Sequence, residues 1–252
     1  MQVEFISGGV TLRGHLARPK APTSSVTGRF GLVLCHGFPH DAPGKRTGPQ
    51  AYPDLADRIA ADTGWTVLSF DFRGAGASDG DFSLGGWLAD IGAAVALLRS
   101  TGEVDAVWLA GFSTGGALAL CAAGEDHDIA GVATFAAPAD FEHWAADPRR
   151  FLEHARTVGV VRSKGFPADF DSWSRELREI KPLALIGKIP PRPVLIVHGS
   201  DDDTVDLMDA RALTDAADNM VDLRVLSGAG HRLRHDPRAV AVLLGWLDRQ
   251  HI

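Results

Sequence analysis

A buried strand and a helix meet at a serine in residues 106–123, which read AVWLAGFSTGGALALCAA. The run from Ala106 to Phe112 is almost entirely apolar, as in parallel strands that are buried on both faces. A clean helix-forming stretch follows at once over residues 115–123. Gly111 and Gly115 flank Ser113 and relieve crowding in the sharp turn between strand and helix. We therefore predict that Ser113 stands at the carboxyl end of a buried strand.

The same alternation of short apolar runs and longer helical patterns continues on both sides of this segment. Runs of strand length lie at residues 30–35, 66–72, 129–135, 194–198 and 223–226, and helical patterns lie at 52–61, 87–98, 205–217 and 240–247. An amino-terminal hairpin is predicted over residues 3–7 and 11–17, around Gly8-Gly9. This alternation predicts an α/β fold with a doubly wound parallel sheet and helices on both of its faces.

One interval, residues 139–190, breaks the alternation, because it is polar and carries no apolar run of strand length. We expect a core formed by residues 1–138 and 191–252, and an insertion, or cap, over residues 139–190 with helices near 151–156 and 172–180. Long insertions in compact domains are often functional. Four of its aromatic side chains are therefore candidates for the wall of a substrate pocket: Phe141, Trp144, Phe170 and Trp173. The alternative is that these aromatics only pack on the core.

Composition and charge indicate which kinds of molecule the protein binds. The 252 residues carry 32 acidic and 25 basic side chains, a net charge of −7, which disfavours nucleic acid and anionic membranes. No apolar run approaches the ~18 residues of a membrane span, and the first residues lack the features of a signal peptide. Cys35 and Cys121 lie in apolar stretches, which indicates buried thiols. We expect a cytoplasmic monomer or homodimer that binds a small molecule.

The pattern Gly-x-Ser-x-Gly occurs twice, at Ser113 and at Ser78, so the surrounding sequence must distinguish them. A nucleophilic serine on this type of turn needs a strand that ends at it and a helix that begins directly after it. Ser113 has both. Ser78 lies several residues beyond the preceding strand and is followed by polar residues, so it is not the candidate nucleophile.

A serine hydroxyl needs a general base, and the base needs an acid that orients it. His231 follows the last predicted strand, where the chain order serine, acid, histidine places the base. The acid is expected in Asp201-Asp202-Asp203. Asp202 is preferred, because Asp203 or Thr204 suits the cap of the following helix and Asp201 falls in the turn. His235 has a metal-like spacing from His231, but Arg232 stands where a zinc protease has glutamate, so no metal is expected.

Acyl transfer also needs two N–H donors that point at the developing oxyanion. The backbone of Thr114, directly after the serine, is one candidate. The other is Phe38, in the sequence Leu34-Cys35-His36-Gly37-Phe38-Pro39 after an earlier strand, where Gly37 lets the backbone approach closely.

Four motifs occur in an order that resembles the α/β-hydrolase superfamily over residues 30–247. They are HGF at 36–38, DFRGAGASDG at 71–80, GFSTGG at 111–116, and HGSDDDTV at 198–205 together with GAGH at 228–231. The resemblance implies an eight-stranded, mostly parallel sheet with a small cap after the sixth strand. Within the superfamily, the second motif and the modest insertion look most like the cinnamoyl or feruloyl esterases and their acyl-peptidase-like relatives.

These residues predict a serine hydrolase of the carboxylesterase type that cleaves a small or medium-sized ester through an acyl-serine and needs no cofactor. Aspartate or cysteine in place of Ser113 would indicate dehalogenase, epoxide hydrolase or dienelactone hydrolase chemistry instead. The same residues would also serve a thioesterase, an acyl-peptidase or a C–C bond hydrolase, and these alternatives stay open. A binding protein that has the fold without the activity is a further alternative.

Overall fold

The computed structural model describes residues 1–19, 29–39 and 52–250. Within these ranges eight strands form one sheet: β1 (Gln2–Ser7), β2 (Val10–Ala17), β3 (Phe30–Cys35), β4 (Thr66–Asp71), β5 (Ala106–Phe112), β6 (Ile129–Phe135), β7 (Val194–Gly199) and β8 (Asp222–Leu226). Their order across the sheet is β1-β2-β4-β3-β5-β6-β7-β8. The predicted α/β fold with an eight-stranded, mostly parallel sheet is confirmed, and β5 lies near its middle.

Strand direction divides the sheet into a small antiparallel part and a larger parallel part. β1 pairs antiparallel with β2, and β2 pairs antiparallel with β4, whereas the other neighbouring strands are parallel. Gly8 and Gly9 join β1 to β2 with φ angles of 54° and 81°, a conformation that glycine adopts without strain. The parallel strands β3, β5, β6 and β7 are buried nearly throughout, which explains their apolar sequences.

Helices cover both faces of the sheet. In chain order the described helices are α1 (Tyr52–Thr63), α2 (Leu84–Ser100), α3 (Thr114–Glu125), α4 (Glu142–Ala145), α5 (Pro148–Thr157), α6 (Phe170–Glu179), α7 (Pro182–Leu185), α8 (Leu207–Ala216) and α9 (Pro237–Asp248). The buried residues of α2, α3 and α8 belong to the core on one face, and those of α1 and α9 belong to the core on the other. The sheet is therefore enclosed between two apolar layers, and its carboxyl edge is left for polar side chains.

The interval between β6 and β7 contains short helices and, in the residues described, no strand. Two of them, α5 and α6, match the predicted helical pieces. Asp147 and Asp169 begin these helices, because their carboxylates accept the backbone N–H groups of Arg150 and Ser172. α4 and α7 span four residues each, too few to show a periodic pattern. The division of the chain into a core and an insertion over 139–190 stays a prediction.

The predicted start and cap of the helix after β7 were wrong. α8 begins at Leu207, and its cap is Asp206, whose carboxylate accepts from the N–H of Met208 at 2.8 Å. Neither Asp203 nor Thr204 caps it. The reason lies in Asp202, whose carboxylate binds the N–H groups that follow it and forms a separate turn before the helix begins.

Candidate active site

Ser113 stands on a strained turn between β5 and α3. Its φ and ψ angles are 51° and −126°, a backbone conformation that few residues other than glycine adopt. The turn is held from both sides: the N–H of Ser113 donates to the carbonyl of Phe135 at 2.7 Å, and its carbonyl accepts from Gly116 and Ala117. The side chain is half-buried at the carboxyl edge of the sheet. This arrangement matches the sharp strand-to-helix turn that the sequence predicts.

Two glycines allow this turn to pack closely. A Cβ atom on Gly111 would overlap the backbone of Gly115 and Gly116. A Cβ atom on Gly115 would overlap the carbonyl oxygens of Cys35 and His36, at the end of β3. The absence of side chains therefore brings the loop after β3 against the start of α3, where both predicted oxyanion donors are located.

The structure brings together the three side chains of the predicted triad. The Oγ atom of Ser113 lies 3.1 Å from Nε2 of His231. On the other side of the ring, Nδ1 of His231 lies 2.9 Å from Oδ2 of Asp202 and 3.1 Å from its Oδ1. These distances are hydrogen-bond distances, so a proton on Ser113 has a direct path to the imidazole.

Asp202 is a buried carboxylate that is surrounded by donors. Its side chain has no exposed surface, and its Oδ1 accepts from the N–H groups of Thr204 at 3.0 Å and Val205 at 2.9 Å. Burial by itself raises the pKa of Asp202, but the hydrogen bonds from His231, Val205 and Thr204 outweigh it and hold the pKa below its ordinary value. Asp202 therefore remains ionised where an ordinary aspartate begins to protonate.

The loops that carry the acid and the base are tied to each other. The N–H of Asp201 donates to the carbonyl of Ala229 at 2.9 Å, and the N–H of Gly228 donates to Oγ of Ser200 at 2.8 Å. A Cβ atom on Gly199 would overlap the carbonyl of Ala229, so this residue also permits the close approach. These bonds fix His231 beside Asp202 although 29 positions separate them in the chain.

The candidate oxyanion donors lie beside Ser113. Gly37 approaches so closely that a Cβ atom on it would be 3.0 Å from Cβ of Ser113. Within the described ranges, the N–H groups of Phe38 and Thr114 have no hydrogen-bond acceptor. An oxyanion site requires N–H donors that no described residue of the protein already binds, but the role of these two stays a prediction.

Ser78, the serine of the second Gly-x-Ser-x-Gly pattern, is buried inside a loop. It has no exposed surface. Its Oγ donates to the carbonyl of Asp71 and accepts from the N–H of Arg13 at 2.9 Å. Ser78 therefore connects β2 to the loop after β4 and is not positioned to react with a substrate.

Replacing Ser78 with alanine is expected to weaken folding without affecting a reaction at Ser113. Both partners of the hydroxyl would lose a hydrogen bond in a buried place, which costs about 1–3 kcal/mol. Chemical denaturation should show a lower free energy of unfolding, and any ester hydrolysis by the folded protein should stay within about twofold of wild type. An unchanged unfolding curve would contradict this structural role.

The four aromatic residues predicted to line a pocket differ in their exposure. Phe141 is 0% exposed and Trp173 is 4% exposed, so in this structure both are core residues and offer no surface to a substrate. Phe170 is half-buried and lies under the guanidinium of Arg149. Trp144 is half-buried and packs 5.1 Å from the ring of Phe38. Of the four, Trp144 is the one that the structure brings next to a candidate oxyanion residue.

Two buried histidines, His36 and His198, form hydrogen bonds with the loops of the site. His36 accepts from the N–H of Phe72 at Nε2, so its Nδ1 carries the proton and donates to the carbonyl of Gly37 at 2.8 Å. Nε2 of His198 lies 3.0 Å from the carbonyl of Val205 and 3.5 Å from Asp202. Each of these histidines stands at the end of a strand, β3 or β7, and before a glycine. This position in the sequence could have identified them as residues of the site.

Among the residues that the structure describes, no group of three or more histidine, cysteine, aspartate or glutamate side chains is arranged to hold a metal ion. Of the helices described, none has the length and apolar character to cross a lipid bilayer.

Comparison with known proteins identifies the family and the fold of the chain. Residues 32–243 match the Alpha/beta hydrolase family. Among curated protein sequences, none matches this chain significantly.

Solved structures share the fold at low sequence identity. Est1E from Butyrivibrio proteoclasticus, with ferulic acid bound, has a TM-score of 0.70 and 20% identity over 98% of this chain and 97% of that chain. The alpha/beta hydrolase GrgF from Penicillium sp. sh18 has a TM-score of 0.73 and 20% identity over 100% and 98%. The esterase PF2001 from Pyrococcus furiosus has a TM-score of 0.69 and 18% identity over 99% and 90%.

Proposed function

Because the chain belongs to the alpha/beta hydrolase family, we propose that it is a serine hydrolase that cleaves carboxylic esters of small or medium-sized substrates. The observation that carries this proposal is the continuous set of contacts from Ser113 through His231 to Asp202, with distances of 3.1 Å and 2.9 Å. A hydroxyl, an imidazole and a buried carboxylate in this order form the arrangement that activates serine for acyl transfer.

Acylation follows from this geometry. The Oγ atom of Ser113 attacks the ester carbonyl carbon while Nε2 of His231 removes its proton. The carbonyl π electrons move to oxygen, and the resulting oxyanion accepts hydrogen bonds from the N–H groups of Phe38 and Thr114. The C–O bond to the alcohol then breaks, and His231 returns the proton to the departing oxygen. The products of this half-reaction are the free alcohol and an acyl-Ser113.

Deacylation repeats these steps with water as the nucleophile. His231 removes a proton from water, the hydroxide adds to the acyl carbon, and Oγ of Ser113 leaves with the proton from His231. Asp202 keeps the proton on Nδ1 of His231 and stabilises the imidazolium in both halves. The two half-reactions consume only the ester and water, so we propose no cofactor.

The substrate class is proposed from the site and from similar structures. Est1E binds ferulic acid, and PF2001 is an esterase, which favours esters over other acyl compounds. Trp144 offers a half-buried aromatic surface next to Phe38 and is the proposed pocket residue. We propose a small-molecule ester as the partner of this protein.

A substrate panel tests this proposal. We expect the protein to hydrolyse p-nitrophenyl acetate, butyrate and octanoate, and to turn over acyl-CoA thioesters and aminoacyl p-nitroanilides more slowly by kcat/KM. Spectrophotometric initial rates measure all three classes. A faster rate with thioesters or anilides would identify a different acyl donor for the same site. A complete lack of turnover, with no labelling by a fluorophosphonate, would indicate a binding protein.

A further inference from the structure

The side chain of Phe38 is enclosed by aromatic rings. It is 5% exposed, although its residue belongs to a loop at the carboxyl edge of the sheet. The centroid of its ring lies 5.0 Å from Phe82, 5.1 Å from Trp144, 5.4 Å from Phe151, 5.9 Å from His154 and 6.1 Å from Trp87. We call Phe82, Trp87, Trp144, Phe151 and His154 the ring cluster.

The ring cluster has two sources in the chain. Phe82 lies in the loop before α2, and Trp87 lies in the first turns of α2. The other three residues lie in the insertion. The insertion rings support one another, because Trp144 and Phe151 stack with centroids 4.1 Å apart and planes 13° apart. Trp173 packs 5.9 Å from Phe151, and its indole N–H donates to the carbonyl of Phe82 at 3.1 Å. The insertion therefore packs directly against the ring of Phe38.

The backbone of the same loop is held from the opposite side. The carbonyl of Gly37 accepts from Nδ1 of His36, and Gly37 itself lies against Ser113. Gly37 has no side chain, so the ring of Phe38 is a further anchor of the loop between His36 and Pro39. The N–H and the ring of Phe38 are attached to the same Cα atom, so a backbone shift that follows loss of the ring's packing also moves the N–H.

We propose that the insertion positions the oxyanion donor, and that Phe151 is a positioning residue that acts through the ring of Phe38. This inference rests on the proposed function, because it assigns the insertion a part in stabilising the oxyanion that forms there. Phe151 is 5% exposed and lies next to Phe38. Its proposed role therefore differs from that of residues that contact the substrate. The insertion then contributes to kcat and not only to the choice of substrate.

The test compares Phe151→Leu with Leu152→Ala, its neighbour on α5. Both side chains are buried, at 5% and 7% exposure, but Leu152 belongs to no ring cluster. We expect Phe151→Leu to lower kcat for p-nitrophenyl butyrate about tenfold and to leave KM within about twofold of wild type. This loss is smaller than the roughly 10²–10³-fold fall in kcat that follows loss of a whole oxyanion donor, because the donor is displaced and not removed. Leu152→Ala, although more truncated, should keep kcat within about twofold.

Two further readouts separate positioning from a general loss of structure. The inhibition constant of an alkyl trifluoromethyl ketone, which forms an oxyanion on Ser113, should rise by the same factor by which kcat/KM falls in Phe151→Leu. The double variant Phe38→Leu/Phe151→Leu should lose no more kcat than the worse single variant, because both changes loosen one contact. Phe151→Tyr, which retains the aromatic ring, should keep most of the rate. Phe151→Met, which is close to leucine in volume and also lacks the ring, should show the same loss and can replace Phe151→Leu if that variant unfolds.

Several outcomes would overturn the inference while leaving the proposed function in place. They are an equal loss of kcat in Phe151→Leu and Leu152→Ala, a rise in KM with kcat unchanged in Phe151→Leu, and losses that multiply in the double variant. A wild-type protein that neither hydrolyses esters nor reacts with a fluorophosphonate would overturn the proposed function itself, and this inference with it.

Discussion

Replacing Ser113 with alanine is expected to lower kcat for ester hydrolysis by about 10⁶-fold, to the rate that binding and the oxyanion donors alone support. The variant removes the one atom that forms the acyl bond, and it leaves His231 and Asp202 in place. Alanine is smaller than serine, so the strained turn at φ 51° should still form. The measurement is kcat for p-nitrophenyl butyrate, with circular dichroism to show that the variant folds.

The control for this variant is Ser78→Ala, which changes the serine of the other Gly-x-Ser-x-Gly pattern. Ser78 is fully buried and bonded to Asp71 and Arg13, so its loss should affect stability and spare the rate. If Ser113→Ala retained more than about 1% of kcat, or if Ser78→Ala lost as much as Ser113→Ala, Ser113 would not be the nucleophile.

Replacing Asp202 with asparagine is expected to lower kcat by about 10⁴-fold while the fold is retained. The amide is nearly the same size as the carboxylate and still accepts from Thr204 and Val205 through its oxygen. Its NH₂ group, however, would face Nδ1 of His231 and favour the tautomer in which Nε2 carries the proton. In that tautomer His231 cannot accept the proton of Ser113.

The three consecutive aspartates supply matched controls for this variant. Asp201 and Asp203 are exposed; the carboxylate of Asp201 accepts from Ser200, and that of Asp203 accepts from Thr204. Asp201→Asn and Asp203→Asn should therefore keep kcat within about threefold of wild type. A large loss in either of these variants, with Asp202→Asn nearly unaffected, would show that the acid was assigned to the wrong aspartate.

The strands that form the site could be predicted because buried parallel strands have an unmistakable composition. β3, β5 and β6 were predicted with the bounds that the structure shows, since each is a mainly apolar run that begins directly after a charged residue. Ser113 follows β5, and His231 follows β8, a partly exposed strand that is parallel to β7. Their place at one edge of the sheet therefore followed from the topology. The distances between them depend on tertiary packing and could not be predicted from the sequence.

The start of α8 was predicted incorrectly because neighbouring polar residues compete for the same backbone groups. Asp202, Asp203, Thr204 and Asp206 are all residue types that cap helices. Local sequence does not show which N–H each carboxylate binds, because His231, 29 positions away, decides the orientation of Asp202. The residues next to Asp202 in the sequence give no indication of a contact with a residue so distant in the chain.

The roles of the insertion aromatics were also beyond the sequence. An aromatic side chain among charged residues suits a pocket wall and a small satellite core equally well. Phe141 and Trp173 are buried, Trp144 is half-buried, and Phe151, which was not a candidate, contacts Phe38. Helices α5 and α6 each bury one face: Phe151, Leu152 and Ala155 on α5, and Trp173, Ser174 and Leu177 on α6. The helical period predicts such a face but does not show which residues it contacts.

Covalent labelling of the serine tests the central claim most directly. Wild-type protein incubated with a fluorophosphonate should lose ester hydrolysis in step with a single mass increase, and peptide mapping should place the adduct on Ser113. The Ser113→Ala variant should acquire no adduct under the same conditions. An adduct on another residue, or ester hydrolysis that continues after Ser113 is fully modified, would contradict the assignment of Ser113 as the residue that forms the acyl-enzyme.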